Sequence, residues 1–302
     1  MDFICTLYEK HYDYGVGALY NSLVKVNFKG KIIIGYKDNL PFWIPQLTMI
    51  SLNVYRLNIY IELVFIQLDH IKIHFAYYKP QFILDCIEQN SELETICYFD
   101  PDITLKAERK YFNNWINTGI ALATDNCYPF LHVNHPWRKE WELLFSNSKI
   151  ISKPECYVNS GFIGLKKSEE KIIKLWLEAS KAHIKMGGNQ VSFERNPEKG
   201  VKTDQDLLNA ALMYYPYHKL SIIGREAMGF EPPNYIMGHA ISGTKPWKKN
   251  FTIDALIKSE KPSFSEKIFF DNTNYPIKLY RGLILKIKKF DILIANLIIK
   301  IL

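Results

Sequence analysis

Apolar positions along the chain fall into two alternating periods. Phe3 to Leu7 reads as a short apolar strand, and a polar, aromatic loop from Tyr8 to Tyr14 follows it. Gly15-Val16-Gly17 then opens a segment whose Ala18, Leu19, Leu23, Val24 and Val26 return at helical intervals. Lys29-Gly30 ends that helix, and Lys31-Ile32-Ile33-Ile34-Gly35 is a second strand, too apolar to be half exposed. Strands apolar on both faces and alternating with helices predict an α/β fold, its mostly parallel sheet flanked by helices. Ile61 to Leu68 reads as a third strand inside a stretch, Leu40 to His70, that otherwise keeps no clear period.

Further on, Tyr78, Phe82, Ile83, Cys86 and Ile87 mark a helix over Ala76–Gln89 that delivers the chain to a buried strand, Thr95–Phe99. Strands are expected at Gly119–Ala123, at the end of Glu155–Leu165, and around Leu220–Ile223 and Tyr235–Ile241. A helix is expected over Pro136–Phe145. Ser168 is placed to cap a helix with Glu169 and Glu170 in its first turn and Ile172, Trp176, Ala179 and Ile184 on one face. That helix stops at Met186-Gly187-Gly188, a loop runs to Gly200, and Thr203-Asp204-Gln205-Asp206 opens another helix through Met213. From Ile277 the chain is dominated by Ile, Leu, Lys and Arg, which divides it into one α/β domain over 1–260 and a basic amphipathic tail over 261–302.

Composition adds limits rather than identity. With 302 residues, 48% of them apolar and 23% charged, the chain has ample material for a folded core. A formal net charge of +7 favours anionic partners. Five cysteines, odd in number and without a C-x-x-C spacing, argue against a disulfide framework or a zinc site and for a reducing cytosol. The amino terminus lacks a signal peptide's basic start and cleavage site, and no apolar run reaches the roughly eighteen residues of a spanning helix.

The chemistry gathers at Asp100-Pro101-Asp102. An apolar strand runs directly into two carboxylates, and the proline between them fixes its own φ. Carboxylates held close repel unless a cation or a proton lies between them. The same three residues also make an ordinary turn capping a strand end. The carboxyl end of a central strand is, however, where open α/β sheets bind ligands, and a hard divalent cation shares its oxygens between carboxylates and substrate phosphates. His239 is the candidate third ligand, although a lone histidine is also commonly a satisfied polar group. Gly243 and Lys245 downstream suit a diphosphate beside the metal, and an imidazole favours manganese over strictly oxygen-ligated magnesium or calcium. Thr203–Asp206 is equally a plain capped helix start.

Tyr98–Ile103, Asn159-Ser160-Gly161, Thr203–Asn209 and His239–Trp247, in this order and at these separations, resemble glycosyltransferase family 8. Thr6-Leu7, Tyr12, Gly15 and Ser22-Leu23 resemble its nucleotide-binding β-α unit, so the resemblance runs from about Phe3 to Trp247. It implies the GT-A fold and retaining, metal-dependent transfer of a hexose from a nucleotide-diphosphate sugar. Carried over, Asp100, Asp102 and His239 match the metal ligands, with Mn2+ (or Mg2+) as the ion and Asp100 also near the ribose. Thr6, Tyr12, Lys79, Asn159, Gly243 and Lys245 match donor-binding positions, Tyr12 stacking on the base and Lys245 on the diphosphate. Asp204 and Gln205 match the catalytic pair beside the sugar ring. Ser242 departs from the pattern, because the family's glycine stands there and here comes one residue later. The run Tyr8–His11 departs from the acidic position that meets the nucleobase.

The expected reaction moves a hexose from a donor such as a UDP-sugar to a glycan or lipid-linked acceptor, by front-face attack with Asp204 and Gln205 as polar stabilisers. Two alternatives stand beside it. A sugar-phosphate nucleotidyltransferase normally carries a larger, arginine-rich glycine signature than Gly15-Val16-Gly17, and a non-catalytic nucleotide-sugar-binding module could keep the fold. In the tail, Leu279, Leu283, Ile284, Ile287, Ile294 and Ile298 recur at helical spacing among Lys278, Arg281, Lys286, Lys288, Lys289 and Lys300. That pattern suits an anionic membrane surface, or else packing on the domain or on a second copy. No aromatic stacking platform accompanies it, so nucleic acid is not expected. The expected location is the cytoplasmic face of a membrane, in lipopolysaccharide or lipid-linked glycan synthesis.

Overall fold

The computed structural model of the chain describes residues 2–128, 130–146, 148–192 and 203–301. The second part of the loop expected over Gly187–Gly200, from residue 193, lies outside the described residues. The first half runs β1 (Phe3–Tyr8), α1 (Asp13–Lys25), β2 (Gly30–Tyr36), β3 (Thr48–Ser51), β4 (Val54–Asn58), β5 (Ile61–Gln67), α2 (Phe75–Gln89), β6 (Thr95–Phe99) and β7 (Ile103–Leu105). There follow α3 (Arg109–Thr118), β8 (Ile120–Ala123), α4 (Trp137–Leu143), β9 (Phe162–Lys166), α5 (Lys171–Lys185) and α6 (Asp204–Leu212). The chain closes with β10 (Leu220–Ile223), β11 (Met237–His239), α7 (Phe251–Lys258), α8 (Phe264–Asp271) and α9 (Gly282–Ile301).

Nine strands form one sheet in the order β10-β8-β9-β6-β1-β2-β5-β4-β3. Its centre, β6-β1-β2-β5, is parallel, whereas β9 and the β3–β4 hairpin run antiparallel to their neighbours. The fold class read from the sequence is the one observed, a helix-covered α/β sheet. Strand alternation explains why the central strands read as continuously apolar. In β1, Ile4 and Tyr8 join one core cluster with α1, α3, α7, α8 and α9, while Phe3, Cys5 and Leu7 join a second with α2, α4, α5 and α6. Both faces are covered, so all six residues of β1 are buried, Thr6 among them, and no solvent face marks the strand by alternation.

Three local details differ from the sequence reading. Helix α3, not among the expected elements, packs Phe112, Trp115 and Ile116 at i, i+3 and i+4 into the core with Tyr111 beside them, an amphipathic helical repeat. The hairpin β3–β4 lies at the sheet edge with β3 exposed throughout, which removes the alternation that would have revealed it. Ser168 sits in a 3-10 turn, Lys167–Glu169, rather than at a helix cap, and α5 begins at Lys171.

Residues beyond 260 pack on the same layer as α1. Ser263 and Glu266 cap α8 reciprocally, and Phe269, Phe270, Ile277 and Leu279 lie in the core cluster that contains Leu19 and Leu23. Buried Asn21 of α1 donates to the carbonyls of Asn272 and Ile277 and accepts from the Ile277 N–H, each at 2.8 Å. Helix α9 lies on α7 through Leu285, Ile292 and Ala295. Its Asp291 carboxylate accepts from the N–H groups of Phe251 and Thr252 at 2.9 Å, where an anion offsets the unpaired amides of a first helical turn. Leu283, Ile284, Ile287, Phe290, Leu293 and Leu297 face outward. No described helix is long and apolar enough to cross a membrane.

Candidate active site

Two strand ends create the site. β6 delivers Asp100 and Asp102 at its carboxyl end, and the turn is fixed by Asp100 N–H donating to Gly161 O at 2.7 Å and Ile103 N–H to Asp100 O at 3.0 Å. β7 then pairs antiparallel with β11 in a small second ladder, with Ile103 opposite His239. That register carries a residue 137 positions downstream to the side of the carboxylates. His239 Nε2 lies 3.2 Å from Asp102 Oδ1 and 3.8 Å from Asp100 Oδ2. One ligand atom from each of the three residues lies within 4.8 Å of the other two.

Two glycines permit this convergence. A Cβ on Gly161 would fall 2.5 Å from His239 Cε1 and 2.8 Å from Asn159 Oδ1. A Cβ on Gly15, near the start of α1, would fall 2.1 Å from the Pro101 carbonyl oxygen. All three distances are below any ordinary contact, so the imidazole, the Asn159 amide and the carboxylate turn occupy the space that a side chain would take.

Fixed charges surround the carboxylates. Lys245 Nζ is 2.6 Å from Asp102 Oδ2, and also donates to Ala240 O at 2.9 Å. Lys79, buried in α2, bridges Asp100 Oδ1 at 2.9 Å and Asp204 Oδ2 at 2.8 Å. Tyr98 OH donates to Asp100 at 3.0 Å, and Ser160 Oγ to Asp204 at 2.7 Å. Burial alone would raise the Asp102 carboxyl, but Lys245 and His239 outweigh it and hold the group well below the usual carboxylate range. Burial likewise opposes the charge on Lys79, and the carboxylates of Asp100 and Asp204 win, pushing it above an ordinary lysine. Lys245 moves upward for the same reason, Asp102 overcoming desolvation.

These residues line a cavity of about 590 Å³. Along its wall stand Tyr12, Lys79, Asp100, Asp102, Asn159, Asp204, Gln205, His239 and Lys245. Tyr12 lies at the cation-rich end, with Lys245 Nζ 5.9 Å from its ring centre and Trp247 edge-on at 5.4 Å. Gln205 accepts from Ser160 N–H at 3.2 Å, and Thr203 and Asp206 form the capping box that starts α6. Thr6 and Gly243 are not among the lining residues. Thr6 is fully buried within β1, and Gly243 is exposed with open space where a Cβ would point.

Several wall residues carried no sequence signal. Asp125, just past β8, accepts from Asn159 Nδ2 at 2.9 Å and from Cys127 N–H at 3.0 Å. Glu9 lies 3.7 Å from both His74 and Lys37. Tyr128, Trp137 and Tyr157 form an aromatic end to the cavity. A single acidic residue after a strand, or a tyrosine in a loop, has no spacing to distinguish it. Ser242 now has a role: its hydroxyl bonds to Glu266 Oε1 at 3.1 Å, and Glu266 also pairs with buried Lys249 at 2.9 Å. Ser242 thus ties the loop carrying His239 and Lys245 to α8.

The donor set fits a divalent cation. Two carboxylates and an imidazole nitrogen face one point, and His239 Nδ1 is buried without a partner, leaving Nε2 as the ring's ligating atom. No protein-family model matches this sequence, and no curated protein matches it. Solved structures do. The chain is similar to the apo WbbM bifunctional glycosyltransferase, with TM-score 0.55 and 14% identity over 91% of this chain and 50% of that one. It therefore spans about half the length of that protein. It is also similar to the galactosyltransferase LgtC in complex with donor and acceptor sugar analogs, with TM-score 0.52 and 12% identity over 89% of this chain and 94% of that one. The fold is the GT-A type of these glycosyltransferases.

Proposed function

We propose that the protein is a metal-dependent glycosyltransferase of family 8 type that moves a hexose, with retention, from a nucleotide-diphosphate sugar to a glycan or lipid-linked saccharide. The observation that carries this reading is the convergence of Asp100, Asp102 and His239 with Lys245 on one cavity wall of a GT-A sheet. Mn2+ suits the mixed oxygen and nitrogen donor set, with Mg2+ as the alternative. When bound there, the cation supplies Lewis-acid stabilisation of charge developing on the departing phosphate.

The protein's own groups account for the rest. Lys245, released from Asp102 as the diphosphate enters, donates to a phosphate oxygen. Tyr12 offers its ring to the base, and a uracil nucleotide is the donor we favour. Lys79 locks Asp100 and Asp204 in fixed positions, so neither carboxylate must reorganise as the bond breaks. Asn159, Asp204 and Gln205 line the stretch of wall next to the sugar; Ser160 N–H holds the Gln205 carbonyl, which directs its amide as a donor. The acceptor oxygen bonds to the anomeric carbon on the face the nucleotide leaves. The carbon–phosphate oxygen bond breaks, and the hydroxyl proton passes to the leaving diphosphate.

The outward apolar face of α9, beside exposed Lys286, Lys289 and Lys300, supports docking on an anionic membrane, where a lipid-linked acceptor would be found. Incubation with a panel of nucleotide sugars and Mn2+ tests the reading. One donor should release free nucleotide, and EDTA should stop release without unfolding the chain, because Lys79 and Lys245 continue to neutralise the carboxylates. Release that persists in EDTA, or no release from any donor, would refute it.

A further inference from the structure

The cavity continues past the charged cluster, and its far end has a different chemistry. Asp204 and Gln205 begin α6 and are followed at once by Asp206, which accepts from Tyr157 OH at 2.6 Å. Asn159, whose neighbour Ser160 bonds to Asp204, reaches in the other direction to Asp125. These links lead directly from the sugar-side wall to Asp125, Tyr128, Trp137 and Tyr157.

Three rings form the wall there. Tyr128 and Trp137 meet at 5.0 Å and 71°, and Trp137 and Tyr157 at 5.8 Å and 60°. Tyr157 is buried and stacked on Trp141 at 6.1 Å, so the base of the wall is fixed. Tyr128 lines the cavity and is 42% exposed. Beside the rings, Asp125 is held by one neutral donor on each carboxylate oxygen, and each oxygen keeps acceptor capacity for a hydroxyl. Among the described residues, no lysine or arginine lines this end; the lining cations Lys79 and Lys245 belong to the other.

A phosphate or carboxylate would meet the carboxylates of Asp125 and Asp206 and no lining cation at this end, and is disfavoured there. An uncharged pyranose matches what is present. One face of such a ring carries C–H groups that pack on an aromatic surface, and its edge carries hydroxyls that a fixed carboxylate accepts strongly. We propose that Tyr128, Trp137, Tyr157 and Asp125 form the acceptor subsite and that it takes a neutral pyranoside. This proposal rests on the glycosyltransferase reading above. It narrows the acceptor to a sugar ring presented free of charged substituents, so any lipid phosphate of a lipid-linked acceptor lies outside the pocket.

The test uses the full chain with Mn2+, the nucleotide sugar hydrolysed fastest, and octyl glucoside, octyl galactoside and octyl glucuronide as probes. Nucleotide release without probe reports the donor side, and glycoside product reports the acceptor side. Saturation-transfer NMR of each probe on the protein alone reports binding without a donor. Expected are product from at least one neutral glycoside, weaker use of the glucuronide, and a tenfold or larger fall in the transfer-to-hydrolysis ratio for Tyr128→Ala and Trp137→Ala. Tyr128→Phe and Trp137→Phe should restore the ratio. An unchanged ratio in both alanine variants overturns the subsite, as does a glucuronide used as well as the glucosides or donor hydrolysis that no neutral glycoside diverts. If no donor is hydrolysed, the glycosyltransferase reading fails instead, and loss of the NMR contact in Tyr128→Ala still decides whether a sugar sits on this wall.

Discussion

The two ends of the cavity solve the burial of carboxylates differently. At one end Asp100, Asp102 and Asp204 each have an ammonium against them, from Lys79 or Lys245, at 2.6–2.9 Å. At the other, Asp125 takes its hydrogen bonds from an amide side chain and a backbone N–H, and Asp206 takes one from a tyrosine. A carboxylate paired with a cation is ready to exchange that cation for another. One held by neutral donors keeps its charge in place as a hydrogen-bond acceptor. In the proposed function this difference separates a place for a metal and phosphates from a place for hydroxyls, although both lie on the same strand ends and the start of one helix.

The sharpest way to break the comparison is to remove the charge that both Lys245 and His239 face. Asp102→Asn should lower metal-dependent transfer by on the order of 10²–10³-fold, the scale for losing one preorganised group that stabilises developing charge. Steady-state rates at saturating Mn2+ check this, and activity near that of the parent would dissociate Asp102 from the chemistry. Gly161→Ala acts one step away. The new methyl must displace His239 or Asn159, so Mn2+ affinity should fall by roughly 10–100-fold, as when a ligand's support is lost. Overpacking should cost about 1–3 kcal/mol of stability. Isothermal titration with Mn2+ and urea unfolding measure the two effects separately, and unaltered metal affinity would show that the imbalance between the ends does not depend on this contact.

The smallest effect is in the pH dependence. The Asp102 carboxyl titrates below its unfolded value of about 3.9, so its contribution is complete above roughly pH 5 and is lost only as pH falls through the folded value. Lys79 and Lys245 titrate above about 10.4, so theirs is complete below roughly pH 9 and is lost as pH rises through the folded values. The difference in melting temperature between the parent and Asp102→Asn should therefore narrow below about pH 5 and above about pH 9. Thermal melts from pH 3 to 11 check this, and a difference that does not narrow would show that another group governs the cluster.

Much of the charged end was legible in the sequence. The carboxylate pair is local, and a strand running into it marks the sheet's carboxyl edge. His239 and Lys245 lie within one short loop that a single ladder, β7–β11, brings alongside. Lys79 could be found by its resemblance but not by its job, since its two partners are 21 and 125 residues away. The aromatic end was not legible. Tyr128 stands in a loop and Trp137 at the start of an expected helix, no spacing links them, and only the tertiary fold sets them beside Tyr157 and Asp125. Thr6 shows the converse: it matches a motif, yet two further residues of β1 separate it from the strand's end, and the cavity wall begins at Leu7. The open hairpin β3–β4 escaped because its exposed outer strand presents no alternation, whereas α3 does carry a helical repeat, Tyr111, Phe112, Trp115 and Ile116, confined to ten residues between two strands.

The clamp of Asp291 on α7 has a practical side. Trimming the last twenty residues would be an obvious route to a better-behaved preparation, because it discards a row of greasy side chains. The same cut would leave the Phe251 and Thr252 N–H groups of α7 without Asp291, Asn250 alone still capping that turn, and remove the Lys288 ammonium from the Lys249 carbonyl. Lys249 and Glu266 brace Ser242, and Ser242 belongs to the loop that bears His239 and Lys245. Solubility gained at the carboxyl terminus would be exchanged for slack in the loop that holds His239 and Lys245 against Asp102. Outward substitutions such as Leu293→Lys or Leu297→Lys leave that bracing intact, and are the gentler course for anyone preparing this chain.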